Sequence, residues 1–142
     1  MSVEVPLIKV GSNPSCQSKC VISYDRVVSY RGEPPCVLTF QNSEFGEQQF
    51  SGKDIFECLC NLRRFLEEKD WRILCNGACF DAYPSGMSRD MGGGYKLYIR
   101  QMGQHPQRSD LVKIFDKTAP EKIGTVEEQL SYYRQWLESV GL

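Results

Sequence analysis

A chain of 142 residues, 41% hydrophobic and 25% charged, is long enough to bury a core without metal or disulfide staples; folding at this size removes roughly 68% of the extended surface from water. A net charge of −1 leaves no basic excess to hold a phosphate backbone, so it does not support non-specific nucleic-acid binding. No run approaches the ~18–20 apolar residues of a membrane span, and the first ten residues carry Glu4 and Pro6 without a basic segment leading into an apolar one. One domain in the cytoplasm is the expectation.

In chain order, residues 3–10 form a short apolar run interrupted at Pro6, followed by a loop whose Asn13-Pro14 pair favours a turn. Residues 1–18 are expected as an edge strand or a loose arm. Residues 19–24 and 27–30 are β-branched and aromatic, and make one bulged strand or a tight hairpin around Asp25 and Arg26. Residues 31–35 read as a turn. Residues 36–40 alternate, placing Cys36, Leu38 and Phe40 on one face of a strand. A polar turn over 41–46 and a partner strand over 47–50 complete an antiparallel meander.

Ser51 is placed to cap a helix over 53–69, with Asp54 in its first turn. Ile55, Leu59, Leu62 and Leu66 fall at helical spacing, and Arg63, Arg64, Glu67, Glu68 and Lys69 are assigned to the solvated face. Residues 71–74 re-enter the sheet. Asn76-Gly77 then reads as a type I′ hairpin turn, because both central residues of that turn need positive φ. The return strand runs over 78–83, with Asp81 turned to solvent.

Residues 84–94 pack Pro84, Ser85, Arg89, Asp90 and four glycines into a long polar loop, the kind of segment that carries function on a rigid sheet. Residues 95–102 alternate Tyr95, Leu97 and Ile99 against Lys96, Tyr98 and Arg100, a strand with one buried and one wet face. His105, the chain's one histidine, lies in a polar turn, and residues 110–115 form a short apolar element. Thr125 and Glu128 make a capping box for a last helix over 125–140, with Val126, Leu130, Tyr133, Leu137 and Val140 as its stripe and Gly141 at its end. The sum is an α+β fold: an antiparallel sheet of six or seven strands packed by two amphipathic helices.

Candidate chemistry is sparse. Seven cysteines without an export signal fit reduced thiols better than a disulfide framework. Cys16/Cys20 and Cys75/Cys79 have zinc-like spacing. Small buried hydrophobes are nevertheless the better reading, since Cys75 and Cys79 sit in apolar runs, and no metal or cofactor is expected. No nucleophile elbow or papain-like context surrounds any serine or cysteine, so no catalytic residue is assigned. Asp81 and Asp90 cannot be paired as acid and base from spacing alone.

Gly92, Gly93 and Gly94 lead into a strand and match neither a Walker loop nor a dinucleotide fingerprint. An anion pocket of Arg89, Lys96 and these three glycine amides is one expectation; glycines that merely turn the chain are the other. Tyr24, Tyr30, Tyr83, Tyr95 and Tyr98 on one sheet face would suit a single-strand binder, although accompanying cations are not in excess. Tyr83, Met87, Arg89, Asp90, Met91 and Tyr95 form the candidate partner-binding set, since Tyr and Arg anchor interfaces and Met adapts.

With its compact sheet, two amphipathic helices, near-neutral charge and absence of an active-site signature, the chain resembles the small immunity proteins encoded beside bacterial polymorphic and contact-dependent toxins. That resemblance implies a non-enzymatic protein that binds a cognate toxin and occludes its active site. The competing expectation is a small-ligand or nucleotide-binding protein or enzyme using residues 84–96, and the third is the single-strand binder.

Overall fold

Period-two patterning builds the larger layer. The computed structural model describes residues 1–11, 17–25 and 35–142. Ser2–Lys9 (β1), Gln17–Tyr24 (β2), Cys36–Asn42 (β3), Gly46–Gly52 (β4) and Trp71–Ile73 (β5) form an antiparallel sheet of order β4-β3-β2-β1-β5. Val5, Leu7, Ile22, Leu38 and Phe40 project from one face and are fully buried. The strand read over residues 27–30, the turns at residues 13–14 and 31–34, and Cys16 lie outside the described residues.

The opening strand is neither an edge nor a loose arm, because β1 lies between β2 and β5. Pro6 tolerates this place because pairing with β5 ends beside it. Leu74 N donates to the Pro6 carbonyl at 2.9 Å, and the Leu74 carbonyl, which an amide at Pro6 would have met, accepts from Thr118 N at 3.3 Å. The missing donor costs nothing.

Ile55–Glu67 (α1) covers the inner face of this sheet, with Ile55, Leu59, Leu62 and Leu66 fully buried. Its cap is Asp54, which accepts from Glu57 N at 2.8 Å. Ser51 cannot serve because it still pairs with Val37 in the ladder of β3 and β4. Arg63, assigned to the solvated face, is 2% exposed.

The single expected sheet is two sheets, of five and three strands. Ala82–Tyr83 (β6), Lys96–Ile99 (β7) and Leu111–Lys113 (β8) make the smaller one, in the order β6-β7-β8. Residues 74–80 cross between the sheets alongside residues 114–124. Asn76 N donates to Asp116 O, Gly77 N to Ile114 O and Gly124 N to Ala78 O, each at 2.9–3.1 Å. One buried core spans both sheets and α1.

Asn76-Gly77 is therefore not a hairpin turn. Asn76–Ala78 is one turn of 3₁₀ helix, and Gly77 does not have positive φ. Glycine is required there for space: a Cβ would strike Leu59 Cδ2 and lie 2.6 Å from Ile114 Cγ1. Gly77→Ala is expected to destabilise the fold by about 1–3 kcal/mol through overpacking. Wild-type stability of that variant in urea denaturation would refute the packing argument.

Val126–Ser139 (α3) starts at the expected capping box, with Thr125 and Glu128 bonded reciprocally, and stops at Gly141 with φ +81°. Its buried face is Val126, Gln129 and Trp136, so the stripe drawn through Leu130 and Leu137 is rotated toward solvent. Among the described residues no helix is long and apolar enough to cross a membrane.

Candidate functional site

Within residues 84–94, expected as one long loop, Gly86–Gly92 folds as a helix. Gly86–Gly92 (α2) is capped by Ser85, whose hydroxyl accepts from Ser88 N at 3.0 Å, and Gly93 closes its far end at φ +72°. The amides of Gly93 and Gly94 both donate to the Ser88 carbonyl, and the Gly93 carbonyl accepts from Ile55 N at 3.0 Å. A Cβ at Gly94 would lie 3.2 Å from Phe56 Cβ, so the end of α2 rests directly on the first turn of α1.

This geometry dismantles the expected anion cradle. The amides of Gly93 and Gly94 are spent on Ser88, and Gly93 and Gly94 are themselves buried. Arg89 lines the cleft between α1 and α3, whereas Gly92 and Lys96 line a separate groove on the other side of α2. The five residues do not share a pocket.

The six expected partner contacts also divide. Met87 and Met91 stand 73% and 76% exposed, one helical turn apart, and Asp90 is exposed beside them. With Lys96, Tyr98 and Leu111 the two methionines border an open groove of about 420 Å³. Tyr95 lies at the base of this groove, 7% exposed, with its hydroxyl donating to Asp25 O at 3.1 Å. Tyr83 and Arg89 face the inner cleft instead.

Arg89 is tied down there. Its Nε and Nη2 donate to the two oxygens of Asp54 at 2.7 and 3.3 Å, and its guanidinium lies 5.2 Å from the centre of the Phe56 ring. Asp54 thus caps α1 and anchors α2 with the same carboxylate. The cleft itself, about 290 Å³, runs between α1 and α3 with Cys60 and Gln129 at its base.

Behind that base is a polar network that helical periodicity hides. Arg63 donates to Gln129 Oε1 at 2.6 Å, to Gly124 O at 2.9 Å and to Gly77 O at 3.2 Å. Gln129 Nε2 lies 2.9 Å from the carbonyl oxygens of Gly77, Cys79 and Ala82. Burial pushes the Arg63 guanidinium below its ordinary range, against the pull of nearby Cys60 and Glu67. The pair stitches the crossing segment to both helices.

Arg100, expected on the wet face, is 4% exposed. Its guanidinium packs 4.3 Å from the Trp136 ring centre and 5.0 Å from that of Tyr133, and Nη2 donates to Tyr83 O at 3.2 Å. Its Nε has no hydrogen-bond partner among the described residues. Aromatic faces take the place of a carboxylate. Tyr83 stacks on Tyr133 at 3.9 Å and 8°, extending the same pile.

The remaining candidates resolve simply. Asp81 is not turned to solvent: it is 7% exposed and paired with Lys122 at 2.6 Å, with Oδ1 left without a partner among the described residues. Asp90 stands exposed on α2, so the two carboxylates sit in unlike settings. The tyrosines do not share one face. Tyr83 lines the cleft between α1 and α3, Tyr95 and Tyr98 line the groove beside α2, and Tyr24 packs against Tyr95 at 5.6 Å; Tyr30 lies outside the described residues. Cys20, Cys36, Cys58, Cys60, Cys75 and Cys79 are buried free thiols, and burial pushes Cys20 and Cys75 up to about 12. His105 is exposed, edge-on to Trp136 at 6.4 Å. Neither a protein-family model nor a curated protein matches this chain, which leaves its own geometry to carry the functional reading.

Proposed function

We propose that the protein is a non-enzymatic binding protein that engages another protein through the outward face of α2. One observation carries this reading: Met87 and Met91, on successive turns, are about three-quarters exposed beside an open groove floored by Tyr95. Fully burying a methionine side chain is worth roughly 1.5–3 kcal/mol, and this pair gains that only against a partner. Methionine also adapts its shape to the surface it meets. Asp90 and Lys96 supply a polar rim, as interfaces require.

In its most specific form the partner is a bacterial toxin met in the cytoplasm, and the chain neutralises it by covering the active site. The supporting considerations are the α+β architecture and the resemblance to immunity proteins. The test is co-expression with growth-arresting proteins encoded beside this gene. The wild-type chain should restore growth and co-purify with one of them. Met87→Asp/Met91→Asp should keep its unfolding temperature and lose about 100-fold in affinity, as for two interface anchors. The toxin reading fails if none of these proteins is neutralised, and the α2 face fails as the contact if the double variant binds at full strength.

A further inference from the structure

We infer that the cleft between α1 and α3 binds a small organic anion, its acidic head at Lys53 and Arg64 beside Arg89 and its apolar body against Tyr83 and Leu130. The site lies on the other side of α2 from Met87 and Met91, so it stands apart from the protein-binding reading.

Charge comes first. Lys53, Arg64 and Arg89 line the cleft; Arg89 is paired with Asp54 at 2.7 Å and lies 4.0 Å from Glu57, so the uncompensated positive charge is that of Lys53 and Arg64. Lys53 and Arg64 make no ion pair among the described residues; Arg64 Nη1 donates only to the amide oxygen of Asn61, at 3.0 Å. In a chain of net charge −1, this is a local positive excess at the mouth of a concave site, which concentrates anions.

The base of the cleft sets the other half of the ligand. Gln129 is 1% exposed, with its amide nitrogen and oxygen both spent on protein partners. Cys60 is 8% exposed, and burial holds its thiol protonated against the pull of Arg63, Arg64 and Arg89. Neither offers a charged or free polar group, while the half-buried Tyr83 and Leu130 supply apolar surface over the buried Phe56 and Val126. An acidic head is therefore favoured at the rim and an apolar body inside. The cleft's 290 Å³ sits at the low end of the roughly 300–1,000 Å³ of small-molecule sites, which favours one acidic group on a compact body over a polyphosphate. Arg89 is already oriented by Asp54, so the ligand does not bear the cost of ordering it.

Carboxylate and phosphate-monoester heads share this chemistry, and the experiment separates them. The full chain is titrated with 1-naphthoate, 1-naphthyl phosphate, neutral 1-naphthamide and inorganic phosphate, followed by heteronuclear NMR. At least one naphthyl anion should bind saturably and shift Tyr83 and Leu130, with naphthamide at least about tenfold weaker. Naphthoate alone identifies a carboxylate site, and naphthyl phosphate alone a phosphate-monoester site. Lys53→Met/Arg64→Met, two exposed positions, should weaken binding at least about tenfold without lowering the unfolding temperature. Met87→Asp/Met91→Asp should leave it unchanged. The inference is overturned if neither naphthyl anion saturates, if naphthamide binds equally, if inorganic phosphate binds as tightly as its naphthyl ester, or if the Lys53/Arg64 variant keeps full affinity.

Discussion

Gln129→Ala is expected to lower the unfolding free energy by about 3–5 kcal/mol, the cost of breaking a buried polar network that contains a charge. The side chain is 1% exposed and occupies a position where every polar atom has work: Oε1 receives Arg63 at 2.6 Å, and Nε2 faces three carbonyls at 2.9 Å. Truncation leaves the carbonyls of Cys79 and Ala82 without this donor and removes the closest partner of a guanidinium that is 2% exposed. For a domain of this size the unfolding temperature should fall by roughly 10 °C.

Gln129→Glu separates the two halves of the argument. It keeps the volume and adds a charge toward Arg63, yet it offers no donor to the three carbonyls. It should therefore also destabilise, because an orphaned buried acceptor costs about 1–3 kcal/mol apiece. Urea denaturation of both variants checks this. A loss below about 1 kcal/mol for Gln129→Ala would show that the network is dispensable.

The network also marks where sequence stopped being readable. Features set by nearest neighbours along the chain were legible: the alternation of β3, the apolar stripe of α1, and the reciprocal cap of Thr125 and Glu128. Arg63 was misread because helical periodicity places it beside Arg64, and only its distant partners at Gly77, Gly124 and Gln129 make burial affordable. Arg100 fails the alternation rule for a similar reason, since its aromatic partners Tyr133 and Trp136 come from α3.

Asn76-Gly77 misleads more instructively. The dipeptide signals a turn with positive φ, but here the glycine answers a steric demand from Leu59 and Ile114, which no local pattern encodes. α2 was legible in part. Ser85 before it and Gly93 after it are ordinary helix punctuation, and Met87 and Met91 sit four apart; seven residues rich in glycine and serine conceal that signal. Once α2 is recognised as a helix, the expected single site becomes two surfaces, because side chains two positions apart on a helix do not face the same way.

Asp54→Ala should therefore disturb both surfaces, with a stability loss of about 2–4 kcal/mol that sums a lost helix cap and a half-buried arginine left without its carboxylate. Asp54 is 4% exposed, caps α1 through Glu57 N at 2.8 Å, and holds Arg89 at 2.7 Å. Asp54→Asn isolates the second contribution, since asparagine caps as well as aspartate does but carries no charge for Arg89. It should cost less than Asp54→Ala, and the difference measures the cap. Beyond stability, α2 is secured against α1 by the Arg89 pair, the bond from Ile55 N to Gly93 O and the close contact of Gly94 with Phe56. Removing the first should speed amide hydrogen exchange in α2 ahead of α3, whose cap lies elsewhere, and should weaken naphthyl-anion binding in the cleft and partner binding at Met87 and Met91 together. Unchanged exchange in α2 would mean that the backbone contacts suffice to hold it, and that Asp54 matters only as the cap of α1.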